Sequence, residues 1–313
     1  MKTLYLVLPC YNEEEVLHET AARLTEKLSS MIDRNFVTAD SKIVFVDDGS
    51  KDKTWEIIEN LHETNSLVSG IKLSGNKGHQ NALLAGLMTV KDHCDMAISM
   101  DADLQDDIND VDEMVQKYYD GCDVVYGVRS SRQTDTFFKR FTAEAFYKVM
   151  QNLGVDIVFN HADYRLMSKR ALNALESFKE VNLFLRGIVP LIGYKSDIVT
   201  YERNERFAGE SKYPLKKMLS FAFEGITSFS IKPIRMITSL GFFIFLISIL
   251  MLIYFLVVHF CHNTVPGWTT IVVSVWAIGG LQLLATGIIG EYIGKTYLET
   301  KQRPKFIIDK FLN

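Results

Sequence analysis

The chain has no surplus of positive charge. Across 313 residues, 34 Lys and Arg stand against 38 Asp and Glu, a formal net charge of −4. That gives no support for a nucleic-acid partner, whose phosphates are held by clustered basic side chains. Cysteine is scarce: Cys10, Cys94, Cys122 and Cys261 show no C-x-x-C spacing. A zinc site and a disulfide framework are thereby excluded, and the four read as small apolar residues in a reducing compartment. No signal peptide is visible, because residues 3–8 are too few for an apolar h-region and Pro9 follows. Internal repeats and low-complexity segments are also absent.

Charge is missing most sharply from residues 236–294, where the only charged side chain is Glu291. Two apolar runs lie there, 236–258 and 268–290, each of 23 residues. A helix rises ~1.5 Å per residue, so each run spans about 34 Å against a hydrocarbon core of ~30 Å. Both are expected to be transmembrane helices. Lys216, Lys217, Lys232 and Arg235 precede the first; Lys295, Lys301, Arg303, Lys305 and Lys310 follow the second. The connection 259–267 has no Lys or Arg. The positive-inside rule then puts both termini in the cytoplasm. Residues 220–235, apolar but short and carrying Pro233, are expected to lie on the lipid surface. The expected organisation is a cytoplasmic domain over 1–213, interfacial helices over 214–235, and a membrane domain over 236–313 with a cytoplasmic tail. Two spans per chain would form a small bundle and invite a homo-oligomer.

What the chain does have is a regular rhythm. Residues 4–8, 42–46, 70–73, 96–100 and 123–127 read as strands. Residues 13–28, 54–63 and 81–90 read as helices between them. This predicts an α/β fold, a mostly parallel sheet with flanking helices. Ligands of such sheets sit beyond the carboxyl ends of the strands. A polar cluster follows each strand: Pro9-Cys10-Tyr11-Asn12-Glu13, Asp47-Asp48-Gly49-Ser50, Asn76-Lys77-Gly78-His79-Gln80, Asp101-Ala102-Asp103-Leu104-Gln105 and Gly127-Val128-Arg129. One cluster is turn chemistry; five at one edge predict a site. Asp101 and Asp103 suit a hard divalent cation, which in turn holds a diphosphate. On extended backbone, residues two apart point the same way.

In this order, Pro9 to Glu13, Val46 to Ser50 and Asp101 to Gln105 resemble the pattern of family 2 glycosyltransferases of the GT-A fold. Gly78 to Ala82, Asp163 to Met167, Gly209 to Tyr213, Gly290 to Lys295 and Gln302-Arg303-Pro304 narrow the resemblance to polyisoprenyl-phosphate glycosyltransferases, the dolichol-phosphate mannose synthase and bactoprenol glucosyltransferase group. The Gln-x-x-Arg-Trp motif of processive members is absent.

The resemblance implies inverting transfer of one sugar from a nucleotide diphosphate sugar to polyprenyl phosphate. In a bacterial plasma membrane this means UDP-glucose, UDP-N-acetylglucosamine or UDP-galactose and undecaprenyl phosphate, for cell-surface glycan modification. It assigns Mg²⁺ or Mn²⁺ to Asp101, Asp103 and Gln105. Pro9, Tyr11, Glu13, Val46 and Asp48 line the nucleotide, with Asp101, Ala102, Arg129 and Arg140 along the diphosphate sugar. Arg140, Arg203, Arg206 and Lys212 meet the lipid phosphate. Asp103, Arg129 and Asp163 form the catalytic set. A carboxylate near Asp163 has been proposed as a base in related enzymes, yet an ionised phosphate needs none, which leaves Asp163 to orient the sugar or pair with Arg165. His79 and His161 have no partner at a recognisable spacing and read as structural. The rival readings are a transferase of the same fold with another lipid or protein acceptor, and a non-enzymatic membrane scaffold.

Overall fold

The computed structural model describes residues 1–129, 161–180, 185–201, 234, 236, 237, 239, 243, 250 and 267–313. Its strands are β1 (Leu4–Cys10), β2 (Lys42–Asp47), β3 (Val68–Leu73), β4 (Met96–Ser99), β5 (Val124–Arg129), β6 (His161–Ser168), β7 (Ser196–Tyr201) and β8 (Ile308–Leu312). The helices are α1 (Leu17–Asp33), α2 (Thr54–Thr64), α3 (His79–Val90), α4 (Val111–Tyr119), α5 (Lys169–Glu176), α6 (Leu185–Leu191) and α7 (Trp268–Lys301).

The sheet has the order β7-β5-β6-β4-β1-β2-β3-β8. Its centre, β3-β2-β1-β4, is parallel. All seven residues of β1 are buried, as a strand covered on both faces requires. Apolar Leu4, Leu6 and Leu8 share the core with Leu17, Leu24 and Leu28 of α1. Helix α3 is buried along most of its length and seats its backbone against the sheet at Gly86. A Cβ there would stand 2.5 Å from Val7 Cγ1 and 2.7 Å from Val46 Cγ2. That close seat aims the start of α3 at the carboxyl edge of the sheet.

The parallel rhythm breaks at β6, which lies between β4 and β5 and runs antiparallel to both. Strand β5 therefore keeps the direction of β4, and its carboxyl end reaches the same edge. The first residues of β6 arrive at that edge too, since Ser99 pairs with Arg165. At the far side, β8 adds antiparallel to β3, with Ser74 N–H donating to Ile307 O at 3.0 Å and Lys310 Nζ 2.7 Å from Glu59 Oε1.

Strands β1–β8 and helices α1–α6 belong to one compact unit and α7 to a second. Helix α7 has 34 residues and continues past Glu291 and Lys295 to Lys301, with Gln282 inside its apolar stretch. Among the described residues, no helix is long and apolar enough to cross a membrane. This corrects the expected localisation as a multi-pass protein of the bacterial plasma membrane with both termini cytoplasmic. The run 268–290 is part of a longer helix that carries polar and charged residues. The run 236–258 falls almost wholly outside the described residues.

Candidate functional site

Three loops at the carboxyl edge are fastened to one another. Asn12 N–H donates to Ser50 Oγ at 3.0 Å, Lys51 N–H to Asn12 Oδ1 at 2.9 Å, and Glu13 N–H to Thr54 Oγ1 at 2.9 Å. Glu14 Oε2 accepts from Lys53 N–H at 3.0 Å. The loops after β1 and β2 thus form one surface. The β3 loop closes on it through Asp48, whose two oxygens accept from Lys77 N–H at 2.6 Å and Gly78 N–H at 2.9 Å. Burial pushes the Asp48 carboxyl above the usual range, against the pull of those amides. Gly49 has φ +68°, and a Cβ there would meet Asn76 N and Gly75 C at 2.6 Å, so only glycine fits the junction.

Asp47 closes its own turn. Its Oδ1 accepts from Ser50 N–H at 3.1 Å, and it is Asp52 Oδ1 that accepts from Thr54 N–H, at 3.0 Å.

The β4 loop is a turn, where extended backbone was expected for the two carboxylates. Leu104 adopts φ +57° and Gln105 N–H donates back to Asp103 Oδ1 at 3.2 Å. Asp101 and Asp103 therefore emerge from a turn, with Gln105 buried beneath it. Among the described residues no three His, Cys, Asp or Glu side chains are already gathered to hold a metal. The donor set nonetheless fits one. Two carboxylates on one turn are what Mg²⁺ takes from a protein when substrate phosphates and water fill its other positions.

The most heavily bonded group at the edge is Asp163, on β6. Its Oδ1 lies 2.5 Å from Arg165 and its Oδ2 3.0 Å from Arg186. Gln80 Nε2 donates to Oδ2 at 3.1 Å, while Gln80 Oε1 accepts from Leu185 N–H at 3.1 Å. His79 Nε2 lies 3.6 Å from both Asp163 Oδ2 and Asp101 Oδ1. Burial alone would push the Asp163 carboxyl up; Arg186, His79 and Arg165 outweigh it and hold it well below the usual carboxylate range. His79 is pulled down by burial, yet the carboxylates of Asp163 and Asp101 leave it above its ordinary value. Asp101 is held above its ordinary value, by desolvation first and by Asp163 and Asp103, against the pull of His79. The result is a chain of alternating charge, Arg165, Asp163, His79 with Arg186, then Asp101.

The expected residues divide into four groups. Asp48, Asp101, Ala102, Asp103, Gln105, Tyr11, Glu13 and Asp163 lie at the carboxyl edge, and Tyr11 is 41% exposed there. Pro9 and Val46 are the buried penultimate residues of β1 and β2, Val46 beneath Gly86. Arg129 ends β5, its Cα opposite Tyr201. Arg140, Arg203, Arg206 and Lys212 lie outside the described residues. Sequence reasoning missed Arg186, which no motif marks. It also read His79 as structural, because its neighbours are distant in the chain. Gln80 carried a signal only as part of a resembling motif.

Residues 5–175 match the family glycosyl transferase family 2. The chain is 55% identical over 306 residues to the uncharacterized glycosyltransferase YkoT of Bacillus subtilis (strain 168), covering 98% of this chain and 91% of that one. It is 40% identical over 315 residues to the bactoprenol glucosyl transferase of Shigella phage SfII, covering 97% of each. It is 38% identical over 312 residues to a prophage bactoprenol glucosyl transferase homolog of Escherichia coli (strain K12), covering 97% of this chain and 98% of that one. Among solved structures, glucosyl-3-phosphoglycerate synthase of Mycobacterium tuberculosis in complex with phosphoglyceric acid is 15% identical with a TM-score of 0.47, covering 73% of this chain and 79% of that one. Such identity along nearly the whole length, together with a family match that spans the sheet from β1 through α5, makes the chain a member of glycosyl transferase family 2.

Proposed function

We propose that the chain transfers one sugar, with inversion, from a nucleotide diphosphate sugar to polyprenyl phosphate. The donor is UDP-glucose, UDP-N-acetylglucosamine or UDP-galactose, the acceptor undecaprenyl phosphate, and the product serves cell-surface glycan modification. The observation that carries this reading is the gathering of Asp101, His79, Asp163 and Arg186 beside the fused β1–β3 loops. The two bactoprenol glucosyl transferase relatives support the acceptor.

In this reading the catalytic domain is residues 1–213. Tyr11, Glu13 and Asp48, with Pro9 and Val46 behind them, form the nucleotide side. Asp101 and Asp103, with Gln105, would hold Mg²⁺ or Mn²⁺, which when bound neutralises charge on the departing diphosphate. Arg129 and Arg140 take the diphosphate, and Arg140, Arg203, Arg206 and Lys212 the acceptor phosphate, because the guanidinium fork matches phosphate oxygens. An acceptor phosphate oxygen bonds to the anomeric carbon as the bond from that carbon to the diphosphate oxygen breaks. The acceptor is already an anion, so no proton leaves it. Asp163, ionised and surrounded by donors, acts as the anchor for His79 and Arg186.

The test is a purified-protein assay with polyprenyl phosphate, Mg²⁺ or Mn²⁺ and a panel of nucleotide sugars, the lipid being read by mass spectrometry. An α-linked product by NMR overturns inversion. Asp103→Ala should abolish transfer and weaken donor binding; full activity in that variant refutes the cation role.

A further inference from the structure

The turn that carries Asp101 and Asp103 is tied to the rest of the sheet unit at three points. Thr20 of α1 donates from Oγ1 to Ala102 O at 2.8 Å. Tyr164 of β6 donates from Oη to Asp107 O at 2.9 Å. The third tie is a relay. Tyr201, the last residue of β7, donates from Oη to Asp106 Oδ1 at 2.6 Å, while Asp106 Oδ2 accepts from the Asp101 backbone N–H at 3.4 Å. Asp106 and Tyr201 are 3% and 2% exposed. The two tyrosine rings meet edge to face, with centroids 5.4 Å apart.

This arrangement is more than turn closure. One carboxylate joins the first residue of the turn to the end of an edge strand, so the position of the Asp101 backbone depends on a hydroxyl about a hundred residues away in sequence. A hydrogen bond to a buried carboxylate belongs to the stronger class, because one partner is ionised. Burial and the carboxylates of Asp106, Asp110 and Asp107 hold the Tyr164 hydroxyl well above its ordinary pKa, so that it remains a donor.

We propose that Tyr201, acting through Asp106, is a positioning residue of the transfer reaction that sets the Asp101 backbone for binding the divalent cation with the nucleotide diphosphate. The proposal rests on the reading of Asp101 and Asp103 as cation ligands.

The experiment is Tyr201→Phe, which removes the hydroxyl and keeps the ring against Tyr164. Mn²⁺ binding is followed by electron paramagnetic resonance in the presence of UDP, alongside the melting temperature. Loss of one charge-assisted hydrogen bond should weaken Mn²⁺ affinity by about tenfold or more. The KM for Mn²⁺ in the transfer assay should rise by a similar factor, with a smaller change in kcat. A variant that melts earlier but binds Mn²⁺ as tightly as the wild type overturns the proposal, since Tyr201 is then only structural. Wild-type protein that binds UDP with no Mn²⁺ at all overturns the cation reading beneath it. Should Tyr201→Phe fail to fold, Asp106→Asn carries the same measurement: it keeps an acceptor for Tyr201 and removes the charge, and Mn²⁺ affinity should again fall.

Discussion

At the scale of single residues, Asp163 shows how burial converts a carboxylate into a fixture. It is 4% exposed and Arg165 0% exposed, so each buried charge is tolerable because it is paired, Asp163 with Arg186 and His79 as well. Asp163→Asn keeps a hydrogen-bonding group but strands the Arg165 charge. Removal of one partner of a buried pair costs about 3–5 kcal/mol, and the retained amide places this variant near ~3 kcal/mol. Urea unfolding checks this, and the double variant Asp163→Asn with Arg165→Met should lose less than the sum of the singles. Equal and additive losses would mean that the pair is not coupled. His79 gives a pH signature of opposite kind. Its folded-state pKa is raised above 6.5, so the stability it contributes is complete below about pH 6.5 and disappears as pH rises through the raised value. Measured in EDTA, the stability difference between wild type and His79→Gln should therefore be largest near about pH 5.5 and shrink by about pH 8.5. A flat difference would remove the charged histidine from the site.

At the scale of elements, legibility followed the kind of contact. Strands β1, β2 and β4 were readable because each is a short apolar run closed by polar residues, the mark of a strand covered on both faces. Their loops were readable for the same reason: in a parallel sheet the carboxyl ends share one edge. Strand β6 was not placed between β4 and β5, because antiparallel insertion leaves no mark in local periodicity. Strand β8 escaped altogether. Ile-Asp-Lys-Phe-Leu has two charged residues in five, and its partner β3 lies at the other end of the chain. Yet β8 covers an edge that would otherwise present unpaired amides. It seats Leu312 over Gly70, where an added Cβ would come within 3.3 Å of Leu312 Cδ1. Deletion of residues 307–313 should expose that edge. Hydrogen exchange at β3 amides facing β8 should speed up by at least ~10-fold, and light scattering on warming should begin earlier. Unchanged exchange in β3 would show that β8 does not protect it.

At the scale of the whole molecule, the distribution of charge outweighs its sum. A net charge of −4 is small, but residues 101–112 hold six aspartates, of which Asp101 and Asp103 stand at the edge where a diphosphate would sit, while Asp112 is paired with Arg34 and Lys27. At about 8 Å, two unit charges repel by roughly 0.5 kcal/mol even in water, and more where the surroundings are partly dry. The charges of Asp101 and Asp103 beside a diphosphate oppose binding by several times that amount. His79 and Arg186 answer part of this, but both are already committed to Asp163. Arg129 ends β5 at the same edge, and a divalent ion on Asp101 and Asp103 would neutralise what remains. The same reasoning explains why the charge-poor stretch 236–294 drew an expectation that the structure corrected. Scarcity of charge in a sequence window reports composition, whereas crossing a membrane requires a helix apolar along its working length, and no described helix meets that requirement. The electrostatic argument gives a direct expectation for the site. Protein stripped with EDTA should bind UDP at least ~10-fold more weakly than protein in Mn²⁺, with calorimetry as the measurement. Raising ionic strength should narrow the gap from the metal-free side, because salt screens aspartate repulsion more than it disturbs a coordinated ion. Equal affinity with and without the ion would mean that the cation role of Asp101 and Asp103 is wrong.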